Sequence, residues 1–268
     1  MRSCTEIVLV ASAMAASAVV ACAQSNDAVA IRGDEVTVTA RGWPTPVSQT
    51  PGSVGVIGAD EIQTGQAPSV PDLFKYVPGV YRTSDGPWGS EASIRGFSRE
   101  SVVMLIDGCR VNTATDHGAR FGTLDPLEVE RIEILKGPIS SLYGSGAIGG
   151  VVNVITRTGK FAPVSELNGG ASVGAGSNPG GAGVYAYVDA NQPRAYYYAS
   201  QSYRDYDSYK DGDGKEVRNS QYEDMESKFK AGWKITDAYI WEINLQYYEG
   251  KDIGVPGTGT APFPPVAD

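Results

Sequence analysis

Two spacings in this 268-residue chain could do chemistry. Gly144-x-Gly146-x-x-Gly149 has the spacing of a dinucleotide fingerprint, whose glycines let the backbone approach a pyrophosphate. That motif must follow a strand and open a helix. Here a short helix is predicted before it and a β-branched strand after it, so the cofactor reading is set aside. Asp211-Gly212-Asp213-Gly214 offers carboxylates for calcium, but the Glu of a calcium loop is missing at its twelfth position, and a solvated loop is the better reading. His117 is the one histidine, which excludes a multi-histidine metal site within the chain. No catalytic residue, resident cofactor or metal ligand is assigned, and no enzyme is expected. The formal charge is −9 with no basic stripe, so nucleic acid is not an expected partner.

The elements around these residues begin with an export signal over residues 1–23. Arg2 precedes the apolar run Ile7–Val20, fourteen residues long, and Ala21-Cys22-Ala23 reads as a cleavage site before Gln24. The run is too short to span a bilayer, which needs about 20 residues. Val19-Val20-Ala21-Cys22 also loosely fits a lipoprotein cleavage box, with Cys22 as the lipidated residue. Cleavage after Ala23 leaves Cys109 alone, so no internal disulfide forms.

Residues 24–45 carry one short β-branched run, Glu35-Val36-Thr37-Val38-Thr39-Ala40, after a stretch with no apolar period. So short a strand needs a partner edge, either in its own domain or on another protein by strand addition. Residues 46–158 read as mixed α and β. Val54 to Ile57 is a strand, and a brief helix starts at Asp60. Ser69 and Asp72 have capping-box spacing before the helical face Val70, Leu73, Phe74 and Val77, which Pro78-Gly79 ends. Ser101–Ile106 is a strand turned back by Asp107-Gly108 into Cys109-Arg110-Val111. Asp125-Pro126 is an N-cap followed by proline, Arg131–Leu135 a strand, Gly137–Tyr143 a short helix closed by Gly144, and Gly149–Thr156 a strand.

After Gly159 the helical signals stop. Phe229, Ala231, Trp233 and Ile235 share one face, with Lys228, Lys230 and Lys234 on the other. Tyr239, Trp241, Ile243, Leu245 and Tyr247 oppose Glu242, Asn244 and Gln246, and Thr236-Asp237-Ala238 joins the two segments. Val184–Ala190 and Ala195–Tyr206 are similar, and Asp207–Asp224 reads as a long polar loop. Segments of about 10 residues with dyad alternation suit a transmembrane β-barrel, apolar toward lipid and polar toward the lumen. A soluble sandwich also alternates, but the export signal and the mix of short turns and long loops favour the barrel. About five strands are expected, fewer than the roughly eight of the smallest barrels, and a sheet edge cannot stay open in lipid. The expected fold is therefore an α+β domain followed by an incomplete antiparallel transmembrane barrel, a fragment, truncated product or half of a split gene.

Several stretches resemble a known family. Glu35–Ala40 looks like a TonB box. Val77-Pro78-Gly79-Val80, Ile94-Arg95-Gly96-Phe97, Leu105-Ile106-Asp107-Gly108, Glu130-Arg131-Ile132-Glu133-Ile134-Leu135-Lys136-Gly137-Pro138 and Leu142–Asn153 resemble successive plug-domain signatures of TonB-dependent receptors. Ile253-Gly254-Val255-Pro256-Gly257 resembles a barrel loop of that family. The resemblance implies a plug over 46–158 and the first strands of a barrel of about 22 strands over 159–268, wide enough for a plug. It implies energy-coupled import of a ferric siderophore, haem or cobalamin through the outer membrane, with a small-molecule metal chelate as cargo. TonB, driven by the inner-membrane ExbB/ExbD motor, and outer-membrane lipid would be the partners. A passive porin-like or non-functional truncated barrel is the alternative. Arg95, Glu130, Arg131, Glu133 and Lys136 are candidates for polar contacts between plug and barrel, with Lys136 where the family more often has Arg. Trp88, Asp116, His117 and Arg120 are candidates for ligand-facing plug loops. His117 would be a haem ligand with Arg120 beside a propionate, or else a solvated loop histidine.

Overall fold

The computed structural model describes residues 52–65, 67–84, 90–111 and 121–256, together with the backbone of 37–38 and 45–46. The expected signal peptide, most of the Glu35–Ala40 run, Trp88, Asp116, His117 and Arg120 lie outside these residues.

A two-residue pairing comes first, β1 (Thr37–Val38) against β2 (Thr45–Pro46). The mixed domain then runs β3 (Ser53–Ile57), α1 (Ala59–Gly65), a 3-10 helix (Val70–Tyr76), β4 (Val80–Ser84), β5 (Ser90–Ile94), β6 (Val102–Ile106) and β7 (Cys109–Arg110). A 3-10 turn (Pro126–Glu128) leads into β8 (Val129–Lys136), α2 (Ser140–Tyr143) and β9 (Gly150–Thr156). Its main sheet has the order β3-β8-β9-β6-β7, with β6 parallel to β9 and the other neighbours antiparallel.

Local chemistry explains these elements. The Asp72 carboxylate accepts from the Ser69 backbone N–H at 3.1 Å and from its hydroxyl at 2.7 Å, the expected capping pair. The helix that follows is 3-10 rather than α, yet Val70, Leu73, Phe74 and Val77 still turn inward. They cover one sheet face, formed by Met104, Ile132, Ile134, Val152 and Val154. Phe74 meets Phe121 edge-on at 6.3 Å. The other face, with Val103, Leu105 and Val151, is covered by Ile139, Tyr143 and Ala147. The short helix starts at Ser140 rather than at Gly137, three residues later than expected, and Gly144 closes it.

After Thr156 the chain builds a wall of five long strands: β10 (Glu166–Ser177), β11 (Gly180–Asn191), β12 (Ala195–Tyr206), β13 (Tyr222–Lys234) and β14 (Ile240–Lys251). Each pairs antiparallel with the next, as in Tyr198↔Lys230 and Phe229↔Leu245. The alternation expected from sequence is present. Trp241, Leu245, Tyr247 and Val184 are exposed on the outer face, whereas Lys228, Lys230, Glu226 and Tyr198 are buried beneath the mixed domain. β13 starts at Tyr222, so the long loop is shorter than expected. Among the described residues no helix is long and apolar enough to cross a membrane, which says nothing of strands.

Phe74 is fully buried where the 3-10 helix meets the sheet. Phe74→Ala should lower the stability of the mixed domain by about 3–5 kcal/mol. Thermal melting followed by protease protection of residues 52–156 would measure it, and a loss below about 1 kcal/mol would contradict this packing.

Candidate functional site

The mixed domain meets the wall through charged and polar groups. Three buried wall cations, Arg204, Lys228 and Lys230, face three carboxylates of the mixed domain, Asp125, Glu128 and Asp107. The cations project inward from β12 and β13 because inward and outward positions alternate along a strand. The carboxylates come from one end of the mixed sheet, where its turns gather.

The Asp107-Gly108 turn supplies the first contact. Both residues have positive φ, 51° and 78°, which closes a two-residue hairpin and suits glycine at the second position. Asp107 thereby points back along the sheet. It accepts from the Thr156 N–H and hydroxyl, both at 2.8 Å, pairs with Lys230 at 2.8 Å and accepts from Asn244 at 3.2 Å. Lys230 also donates to the Thr156 hydroxyl at 2.6 Å.

The Pro126–Glu128 turn supplies the other two. The Asp125 carboxylate caps it by accepting from the Leu127 N–H at 2.8 Å. Its second oxygen lies 3.7 Å from Arg204, which also holds Asp224 at 2.5 Å and donates to the Pro68 carbonyl at 3.2 Å. The Asp125 N–H donates to Glu226 at 2.9 Å. Glu128 is almost wholly buried. One of its oxygens accepts from the Tyr185 and Tyr198 hydroxyls at 2.9 and 2.8 Å, and the other lies 3.6 Å from Lys228. A charge buried in this way is tolerated only when paired and hydrogen-bonded. Chemically, the arrangement can hold two surfaces together and exchange its bonds for water. Among the described residues no cluster of His, Cys, Asp and Glu could hold a metal.

A polar plug seated on a lumen-facing wall of amphipathic strands is the arrangement the family resemblance implies. Residues 46–151 match the sequence model of the TonB-dependent receptor plug domain. Residues 46–151 are a TonB-dependent receptor plug domain. The chain is 41% identical over 147 residues to the vitamin B12 transporter BtuB of Vibrio vulnificus, covering 54% of this chain and 23% of that protein. It is 30% identical over 225 residues to the hemin receptor of Yersinia enterocolitica, covering 81% of this chain and 32% of the relative. The chain thus spans a quarter to a third of the length of these relatives. Among solved structures, the copper transporter OprC superposes with a TM-score of 0.63 at 22% identity, covering 74% of this chain and 30% of OprC. The siderophore receptor PirA from Pseudomonas aeruginosa does so with a TM-score of 0.54 at 26% identity, covering 76% and 36%. The mixed domain is accordingly a plug, and the wall is five strands of a receptor barrel that they do not close.

The residues expected to join plug and barrel make the following bonds. Arg131 pairs with Glu133 at 2.9 Å and with Glu130 at 3.6 Å, both on its own strand, and Lys136 donates to the Pro78 carbonyl at 3.1 Å. Burial, and behind it the Glu133 carboxylate, raises the Tyr143 hydroxyl above its ordinary range. Arg95, at φ 52°, forms the left-handed turn that closes Ile94 onto Phe97. These bonds lie within the plug, while Glu130 also lines a recess shared with β10, β11 and β12. The groups that meet the wall are Asp107, Asp125 and Glu128. Asp107 and Asp125 carried a turn signal, and Glu128 carried none.

Arg204→Ala would leave Asp125 and Asp224 buried without their shared cation. It should weaken plug docking by about 3–5 kcal/mol. Hydrogen exchange should then show lost protection at residues 121–129 while the β8–β9 ladder stays protected. Unchanged exchange at 121–129 would remove Arg204 from the joint.

Proposed function

We propose that this chain serves energy-coupled import of a scarce metal chelate, a ferric siderophore, haem or cobalamin, across the outer membrane. The observation that carries the reading is the polar joint between plug and wall. An apolar joint would expose hydrophobic surface on opening, whereas ion pairs and hydroxyls can exchange their partners for water. A plug held this way suits a barrel that must open without leaking at rest. The export signal supports delivery across the inner membrane, and the aromatic outer face of β12 to β14 supports residence in lipid.

Coupling is assigned to Glu35, Val36, Thr37, Val38, Thr39 and Ala40 as the segment that TonB adds to its own sheet, with an ExbB/ExbD-type motor supplying force. The backbone pairing of Thr37 and Val38 with Pro46 and Thr45 supports a segment that forms strand pairs readily. Trp88, Asp116, His117 and Arg120 are assigned to the ligand-facing loops. In this reading, cobalamin, haem and ferric siderophores compete as candidates because a vitamin B12 transporter and a hemin receptor are similar in sequence and siderophore receptors in fold.

Deleting 35–40 should abolish uptake of the radiolabelled ligand while leaving its binding to whole cells within about twofold, since the loops are untouched. Uptake that survives the deletion would favour a passive barrel. Titration with haem, cyanocobalamin and a ferric siderophore would choose among ligands. If haem is the cargo, His117→Ala should abolish the Soret shift, and an unchanged titration would remove His117 from the site.

A further inference from the structure

A polar recess of about 240 Å³ lies between the plug and the first three strands of the wall. It sits toward the end of the wall where the short connections 192–194 and 235–239 lie, opposite the long loop 207–221. Glu130 and Asp189 line it with carboxylates, Arg157 and Lys160 with cations. The two signs balance, so the recess has no preference for an anion or a cation and no cluster that would hold a charged solute tightly. Asn168 donates to Asp189 at 2.9 Å, which keeps the wall side hydrophilic. A break in the β8–β9 register between Val129 and Arg131 accommodates Glu130 at the recess. Such bulges re-aim a side chain where the ladder is interrupted.

Behind one lining residue of the recess, Tyr198, lies Glu128 of the plug. Tyr198 lines the recess, and its hydroxyl and that of Tyr185 both donate to a single oxygen of Glu128. Arg157 closes the flank, stacked 5.2 Å over the Tyr187 ring and donating to the Leu127 carbonyl at 3.0 Å. The contact of Glu128 with the wall is incomplete. The second Glu128 oxygen and the Lys228 ammonium face each other at 3.6 Å and share no hydrogen bond, although both side chains are buried. Water entering here would satisfy both groups, which offsets part of the cost of breaking the tyrosine contacts. Glu128 also ends a three-residue turn, so a small shift of that turn withdraws its carboxylate from both tyrosines at once.

We propose that this recess is a water-filled vestibule at the periplasmic mouth, the exit of a path between the plug and β10–β12, and that Glu128 is the latch that closes it. The inference rests on the import function proposed above. The space has room for a cluster of waters. It is smaller than pockets for drug-sized ligands, about 300–1,000 Å³. Passage of a bulky chelate therefore requires Glu128 to release Tyr185 and Tyr198 and the vestibule to widen along the wall.

The experiment places a cysteine at Asn168 in the receptor in outer membranes, with Cys109→Ser as the parent and control. A charged, membrane-impermeant methanethiosulfonate is applied either to intact cells or from the periplasmic side after permeabilisation. With Glu128 intact, Asn168→Cys should label from the periplasmic side and not from outside. Adding Glu128→Gln, or Tyr185→Phe with Tyr198→Phe, should raise labelling from outside at least tenfold. Heat-modifiable migration on gels confirms that each barrel is assembled, and the tyrosine pair serves if Glu128→Gln does not assemble. No labelling from the periplasmic side would overturn the vestibule. Outside labelling unchanged in an assembled variant would overturn the latch. Ligand uptake by the receptor with Glu128 intact is measured alongside: its absence counts against the import function, whereas the labelling pattern tests the vestibule alone.

Discussion

A carboxylate buried against a barrel strand must be met by donors, and Glu128 is met by two tyrosine hydroxyls and an ammonium group. That requirement sets the position of the plug. The hydroxyls come from β11 and β12 and the ammonium from β13, so one side chain ties together three strands that hydrogen-bond only to their immediate neighbours. Asp125 and Asp107 repeat the arrangement on either side, with Arg204 and Lys230 as partners. The apolar core of the plug reaches this contact at its edge, where Phe121 and Leu124 line a small gap beside Arg204 and Tyr222. Most of that core lies on the faces of the sheet, whereas the joint is made at the sheet's end, so stability of the plug and its attachment to the wall are carried largely by different residues.

The division explains which features were legible in the sequence. Phe229, Ala231 and Trp233 against Lys228 and Lys230 form a local dyad pattern, and β13 and β14 follow from it. The capping pair Ser69 and Asp72 is equally local. β10 is different. Its Glu166–Ser177 stretch is mostly Gly, Ala and Ser, which alternate too weakly to mark a face, and only its pairing with β11 defines it. The joint was the least legible part. Asp125 and Glu226 are 101 residues apart, and no periodicity links positions so distant. Charge type alone is a poor guide: Arg131 pairs along its own strand and Lys136 donates to a carbonyl within the plug.

Motifs that resemble chemistry turn out to serve geometry. Gly149 and Gly150, at the end of the dinucleotide-like spacing, sit where a β-carbon would stand 2.4 Å from the Phe97 side chain and 2.2 Å from the Leu135 carbonyl. They let β9 enter the sheet between its neighbours. Asp211, first of the calcium-like run, accepts from the N–H groups of Asp213 and Lys215 and so shapes its own loop. Residues that a motif search would set aside, Tyr185 and Tyr198, hold the plug in place.

The order of the chain gives the polar joint a further consequence. A ribosome makes residues 107–128 well before residues 185–230, so the plug's acidic end exists for a time without its wall. Three solvated carboxylates at that end are compatible with water and repel their counterparts on neighbouring nascent chains. An apolar joint would instead have offered each waiting plug a sticky surface, prone to self-association at the stage when partly folded proteins aggregate. The carboxylates that later fasten the plug thus also protect it beforehand, and assembly proceeds by exchanging water for the tyrosines and cations of the arriving strands.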